Sequence, residues 1–445
     1  MNTLKKYGLL TTLFMLKRKI KNLKSNYDNY LKNEDANTFD LPPLKNKPLI
    51  SVILYADRDI TSCLNSVKNQ TNYDNFEIIV VSPKAIKCEG TLLIIDYDSD
   101  KNKAFKTGLK AAKGDYVCFC DSSITLAPYA FYYMARQLIY NDYDIIYSDE
   151  DVIDNGTRTN PFFKPSWSPD TLRSFNYIGF ALIKKSLIRN FTDCYTLFKE
   201  LSYENINVSN VEKILVHTSN YSREETPAES YGGNALISII IPSKDNYSVL
   251  KRCIDSIREK TLYKNYEIIV VDNGSSESIK DDIKKLADKY IYDKYDFNFS
   301  LMCNTGALNS KGEFLLFLND DTEIVSPDWL TLMTACADKP LSGAVGCKLL
   351  YPNTDKIQHC GIINIQNGPV HCFQGYDTND SLYFGRNKYN YNYSSVTGAC
   401  LLIKRDRFKG FDENFPVAYN DVDLCLTLVE KGYYNTVVNS VKIYH

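Results

Sequence analysis

Ile237-Ser238-Ile239-Ile240-Ile241-Pro242 is an apolar run of the length and composition of one buried strand, and Ile50-Ser51-Val52-Ile53-Leu54 repeats it near the start of the chain. After the earlier run come Cys63, Ser66, Thr71, Tyr73, Asn75 and Glu77. After the later one come Cys253, Ser256, Thr261, Tyr263, Asn265 and Glu267, all at one constant offset. Each series leads into a second apolar strand, Ile78 to Val81 and Ile268 to Val271. Further on, Lys113-Gly114-Asp115-Tyr116 matches Lys311-Gly312-Glu313-Phe314, again ahead of a strand. So many aligned matches make an internal repeat the main organising feature of the chain.

Between the strands the apolar spacing is helical, with Leu250, Ile254 and Ile257 on one face. Strand and helix in alternation predict an α/β fold, two tandem Rossmann-like domains, each a mostly parallel sheet flanked by helices. The polar stretch SNYSREETPAESYGGN reads as a linker over 219–234. It divides one α/β domain at 46–218 from another at 235–445, and a basic helical segment, 1–45, precedes both.

The bulk numbers agree with a globular protein of two domains. The chain has 445 residues, 44% hydrophobic and 24% charged, and a formal net charge of -2, which argues against a nucleic-acid partner. Thirteen cysteines, without the spacing of a disulfide framework and with no secretory signal, predict free thiols in a reducing cytosol. The apolar run from Gly8 to Leu16 is too short to span a bilayer. Its flanks carry Lys5, Lys6, Lys17, Arg18, Lys19, Lys21 and Lys24, so it is read either as a peripheral contact with the inner face of a membrane or as a solvated helix.

Chemistry-bearing residues gather at strand ends in the second copy. Asp272-Asn273-Gly274-Ser275 closes one strand, where ligands of open parallel sheets bind; Asp272 is read either as a nucleoside contact or as a helix cap. Asn319-Asp320-Asp321-Thr322-Glu323 closes another, and carboxylates so close together call for a compensating cation or donor. Tyr419-Asn420-Asp421-Val422-Asp423 opens an amphipathic helix, so its carboxylates are candidate general bases as well as candidate caps. His445 follows the strand from Thr436 to Tyr444, a position from which an imidazole can complete a metal site.

From Ser238 to His445 the chain resembles a family 2 glycosyltransferase of the GT-A fold. The stretches that carry the resemblance are SIIIPSKDN, EIIVVDNGSS, FNFSLMCNTGALNSKGEFLLFLNDDTEIVSPDWL, VTGACLLIK and YNDVDLCL. Bacterial enzymes of O-antigen, capsule and rhamnose-rich polysaccharide synthesis show this series in this order. The resemblance implies a cytoplasmic, inverting hexosyltransferase. It would take a nucleotide-sugar donor (UDP- or dTDP-linked), a divalent Mn2+ or Mg2+, and a glycan or lipid-linked acceptor. By position it assigns Asp421 as catalytic base, Asp321 and His445 as metal ligands, and Pro242, Asp272, Asn304 and Asp320 as donor contacts. It puts His371, Asn420 and Asp423 toward the acceptor. Asn319 stands where the family has the first Asp of its Asp-x-Asp motif. In the family a few residues usually follow the late histidine, so the resemblance leaves two expectations, a trimmed sequence or a looser metal site.

Other readings compete. The dipeptides His359-Cys360 and His371-Cys372 raise zinc, although structural zinc sites use tighter paired spacings. A nucleotidyltransferase would carry a glycine-rich phosphate loop, which Pro242-Ser243-Lys244-Asp245-Asn246 lacks. A glycan-binding scaffold of two decayed transferase domains is the non-enzymatic alternative, and intact Asp272, Asp321 and Asp421 speak against it. The first copy has lost these residues: Ser82 replaces the nucleoside carboxylate, Ser123 the metal ligand, and Thr192-Asp193-Cys194-Tyr195 the base region. It is read as degenerate, its aromatic run Phe162, Phe163 and Trp167 left to hold an acceptor or to dock.

Overall fold

The computed structural model describes residues 27–32, 41–45, 47–96, 98–219, 221, 224–227 and 229–445. The basic run around Gly8 to Leu16 lies outside them; residues 27–32 are helical. No described helix is long and apolar enough to cross a membrane. All thirteen cysteines are free thiols.

The chain forms two compact units. The first takes the residues up to Pro165, Phe180–Thr192 and Asn207–Tyr221; the second takes Ser166–Gly179, Asp193–Ile206 and Ser222–His445. Two segments that precede the linker in sequence therefore pack with the second unit.

In the first unit the strands are β1 (Ile50–Tyr55), β2 (Phe76–Ser82), β3 (Leu92–Ile95), β4 (Tyr116–Cys120), β5 (Ile124–Leu126), β6 (Ile145–Asp154), β7 (Thr157–Phe162), β8 (Ala181–Lys184) and β9 (Val208–Thr218). Their order is β3-β2-β1-β4-β8-β6-β9-β5, with β7 on β6. In the second unit β10 (Ile237–Ser243), β11 (Tyr266–Asp272), β12 (Lys289–Tyr292), β13 (Phe314–Leu318), β14 (Glu323–Ile324) and β15 (Ser342–Leu350) lead the sheet. After them come β16 (Ile357–His359), the hairpin β17 (Ile362–Ile365) and β18 (Gly368–His371), β19 (Tyr391–Tyr393), β20 (Cys400–Lys404) and β21 (Tyr434–Tyr444). Its order, β12-β11-β10-β13-β20-β15-β21-β14, matches the first position by position. In each, the fifth and eighth strands run against the other six.

The repeated residues explain why the two sheets agree. Ser238 Oγ donates to Glu267 Oε1 at 2.6 Å and accepts the Gly312 N–H at 2.7 Å, while the Lys311 N–H reaches the same Glu267 oxygen at 2.8 Å. Ser51, Glu77, Lys113 and Gly114 make the same latch at 2.6, 2.6 and 2.8 Å. A Cβ on Gly312 would stand 2.5 Å from the Ser238 nitrogen, so only glycine permits the approach. Ser66 and Ser256 each donate to the cysteine carbonyl three residues back and accept the N–H of Leu126 or Ile324. Tyr73 and Tyr263, Asn75 and Asn265 likewise bond the chain entering each first strand.

Alternation along β10 sorts the second core into two layers. Ile239 and Ile241 pack with Leu250, Ile254 and Ile257 of the helix Tyr247–Lys260. Ile240 packs on the other face with Met302 and Leu424, from the helices Phe299–Leu308 and Asn420–Glu430. Helices cover both faces, leaving the carboxyl ends of the parallel strands as the open edge, where the polar residues collect.

Candidate functional site

That edge in the second unit is built from neighbouring strand ends. Ser243, the last residue of β10, pairs in register with Asp272, the last of β11. β14 pairs antiparallel with β21, Glu323 opposite Tyr444, which brings the Asn319–Glu323 turn beside His445. A pocket of about 300 Å3 opens here, lined by Pro242, Ser243, Asn246, Phe297, Asn319 and Asp320 among others.

Asp320 and Asp321 diverge, which relieves their repulsion. Asp320 Oδ2 accepts from Ser243 Oγ at 2.7 Å and from Asn246 Nδ2 at 3.4 Å. Burial pushes its carboxyl above the usual range, against these two hydrogen bonds, and the neighbouring Asp321 adds to the rise. Asp321 Oδ1 lies 3.3 Å from His445 Nε2. That contact, above all, holds the Asp321 carboxyl below its ordinary value, against partial burial.

Gln358 orients the imidazole. His445 Nδ1 lies 2.7 Å from Gln358 Oε1, an acceptor, so Nδ1 carries the proton. Nε2 is then turned inward, 3.0 Å from the Asn319 amide nitrogen and facing Asp321. The Gln358 amide also donates to the His445 carbonyl at 2.8 Å. An imidazole whose far N–H is tied down, next to a carboxylate, is a chemically suitable pair of donors for a hard divalent ion that displaces the proton between them. Among the described residues no three His, Cys, Asp or Glu side chains converge, so substrate or water oxygens would complete such a sphere.

Asp421 sits in the first turn of the helix Asn420–Glu430, behind Tyr419, whose φ of 69° is strained for an aromatic residue. Its Oδ2 accepts the Gly398 N–H at 2.8 Å and its Oδ1 the Val422 N–H at 2.8 Å. The adjoining Ala399 carbonyl takes the Asn319 N–H at 3.0 Å, so one short segment before β20 ties the acidic turn to Asp421. His371 feels both Asp421 and His445: desolvation pushes its imidazole down, Asp421 pulls it up and His445 lowers it. Its Nδ1 is 2.9 Å from Nδ1 of the fully buried His359. Asp423 is raised above the usual carboxylate range, by burial first and then by Asp412 and Glu430.

Three of the candidate residues are engaged by bonds within the protein. Asn304 does not line the pocket; its amide donates to the Phe411 carbonyl and Glu413 Oε1 and accepts the Phe411 N–H, clamping the loop after Gly410. Asp272 is fully buried, its oxygens taken by the Ser275 N–H at 2.8 Å and the Tyr290 hydroxyl at 2.6 Å, and the following helix begins after Ser276, whose side chain makes no cap hydrogen bond. Asn420 is 4% exposed, its side-chain amide donating to the Phe415 carbonyl and accepting the Asp421 N–H. The two His-Cys pairs do not form a metal site either, since Cys360 donates to Asn439. Gln358 escaped the sequence reading, because an amide on a short strand carries no motif of its own, and Gly398 was read only as part of the VTGACLLIK stretch, with no role given to its N–H.

In the first copy Ser82 is buried and donates to the Ala56 carbonyl. Asp121 is occupied by Ser123 and by Lys101 at 3.3 Å; these contacts outweigh its burial and hold it below its usual range. Asp193 caps the helix Cys194–Leu201 through Thr196, and the Tyr195 hydroxyl lies 2.8 Å from Thr226 Oγ1.

A mostly parallel sheet with a divided Asp pair, a histidine and a helix-borne carboxylate at its open edge defines an α/β protein with a candidate metal and group-transfer site. The chain belongs to glycosyl transferase family 2, whose model matches residues 92–206 and 238–410. It is 29% identical to an uncharacterised protein of Sinorhizobium fredii, over 90% of this chain and 53% of that protein. It is 28% identical to the O-antigen biosynthesis protein RfbC of Myxococcus xanthus, over 87% of this chain and 36% of that one. The chain thus spans about half or less of the length of these relatives. A solved mannosyltransferase of Pyrobaculum calidifontis, in complex with GDP-Man and Mn2+, superposes with a TM-score of 0.37 at 15% identity, covering 49% of this chain and 60% of that one.

Proposed function

We propose that the second unit is an inverting glycosyltransferase that moves a sugar from a nucleotide-sugar donor, UDP- or dTDP-linked, onto a bacterial surface polysaccharide or its lipid-linked precursor. The observation that carries the reading is the Asp321–His445 pair, with Nε2 turned inward by Gln358, at the edge of the pocket that holds Asp320. Asp321 and His445 would hold a Mn2+ or Mg2+ ion, which supplies positive charge against the departing diphosphate. Ser243 and Asn246 fix Asp320 in the wall of the donor pocket. Asp421, its carboxylate aimed by the Gly398 and Val422 N–H groups, accepts the proton of the attacking acceptor hydroxyl. One displacement inverts the anomeric centre, and no covalent nucleophile is needed.

The first copy serves as a non-catalytic partner. Its surviving carboxylates are committed locally, Asp121 to Ser123 and Lys101, Asp193 to Thr196. The O-antigen role in the name of the Myxococcus relative supports an envelope glycan as product, and the cytoplasmic side of the membrane is the proposed place of work. The test is a panel of nucleotide sugars assayed for hydrolysis and transfer with and without Mn2+. Metal-dependent turnover of one donor, lost in Asp321→Ala, is expected; metal-independent turnover that survives the substitution would overturn the proposal.

A further inference from the structure

Lys348 on β15 stands directly opposite Lys442 on the adjacent parallel strand β21. Like charges so placed repel, and Lys348 is only 3% exposed. Its ammonium donates to Thr378 Oγ1 at 3.2 Å. Among the described residues neither lysine forms an ion pair with a carboxylate. Burial pushes the Lys348 ammonium down to about 8, opposed by the nearby Cys360 and aided by Lys442.

Both lysines line a cavity of about 500 Å3 within the second unit, and it shares no lining residue with the donor pocket. The acidic groups in its wall are otherwise placed: Glu225 pairs with Lys388 at 3.3 Å and takes the Tyr389 hydroxyl, while Asp380 is exposed. A buried cation held by one neutral hydroxyl, beside a second cation and lining a cavity, is a costly arrangement. An anion in the void would relieve it.

We propose that this cavity is a second ligand site, which binds the oxyanion of an acidic saccharide, a carboxylate or phosphate carried on a sugar ring, between Lys348 and Lys442. The lysines supply charge-assisted hydrogen bonds to the oxyanion. Thr378, Asn379, Ser381 and Ser440 supply hydroxyl and amide groups matched to sugar hydroxyls. The volume falls within the range of small-ligand pockets. The saccharide half rests on the glycan-transfer function proposed above; the oxyanion half rests on the lysines alone.

The test is calorimetric titration of the full chain, without nucleotide or metal, with glucuronate, glucose 6-phosphate, inorganic phosphate and glucose. Glucuronate or glucose 6-phosphate should bind and glucose should not, and the tighter of the two acids identifies the oxyanion. Lys348→Met should weaken that binding roughly ten- to a hundredfold. Its thermal midpoint should hold or rise, because methionine fills similar volume without an unpaired charge. Lys442→Gln, at a half-buried position, should weaken binding in a chain whose fold is not at risk. Inorganic phosphate binding as tightly as glucose 6-phosphate would overturn the saccharide half. Absence of binding by every anion, or undiminished binding in both variants, would overturn the whole. A chain that binds the anion but transfers no sugar would retire the transfer function and leave this site standing.

Discussion

Replacing Asp421 by Asn tests the base, and the structure shows that the substitution has a second cost. The two carboxylate oxygens accept separate backbone donors, the Gly398 and Val422 N–H groups, each at 2.8 Å. Asparagine keeps one acceptor oxygen and turns an NH2 toward the other N–H, so one backbone donor loses its partner. An unpaired donor of this kind costs about 1–3 kcal/mol. For a unit of this size that lowers the thermal midpoint by roughly 2–4 °C per kcal/mol. Loss of the base should also cut turnover on the order of a hundredfold or more. Donor affinity should change little, since Asp421 does not line the donor pocket. The assay is the initial rate of transfer at saturating donor, read with donor binding by calorimetry and a melting curve. Turnover within a few-fold of the parent chain would refute the base assignment. Lost donor binding with an unchanged rate per bound donor would make Asp421 a donor contact instead.

Asp321→Ala should abolish Mn2+-dependent donor binding in the same calorimeter, since it removes the carboxylate facing His445 Nε2. Gln358→Leu removes the acceptor that fixes the imidazole tautomer and should weaken metal affinity roughly 10–100-fold, measured by Mn2+ titration of the binding step. Lys348→Met should stabilise the fold in a pH-dependent way. The native pKa lies near 8 against 10.5 for the free side chain, so the buried ammonium destabilises by up to about 3 kcal/mol below pH 8. That penalty fades as pH rises from 8 to 10.5, so denaturant unfolding should show the gain at pH 7 and lose it above pH 10. Asp193→Ala should cost about 1 kcal/mol through loss of a helix cap, seen in the melting curve, while transfer persists.

The residues that revealed the repeat and the residues proposed for chemistry are different sets, and this division decides what was legible. Ser51 and Ser238, Glu77 and Glu267, Gly114 and Gly312 recur because the same latch must close in both sheets. Their bonds join a few fixed positions, so constant spacing is enough to expose them and to predict two equivalent sheets. The strand-end residues are constrained by what they face instead: Ser82 against Asp272, Ser123 against Asp321, Tyr195 in the base region. Reading their types located the open edge, but a residue type does not say where a side chain turns. Asn304 is read from the resemblance as a donor contact, and its amide clamps a loop whose partners, Phe411 and Glu413, lie far along the chain. Gln358 acts on His445 across 87 residues with nothing local to announce it, and the Gly398 N–H acts on Asp421 from a motif whose sequence gives no hint of that bond. Residues 166–179 and 193–206 gather with the second unit for the same reason. Buried Asp170 is bonded by Arg173, Asn392 and Thr436, which pull its carboxyl far below the usual range in spite of burial. A carboxylate satisfied by one neighbour on its own helix and by partners more than two hundred residues away can be found only once the chain has folded, since each partner is ordinary where it stands in the sequence.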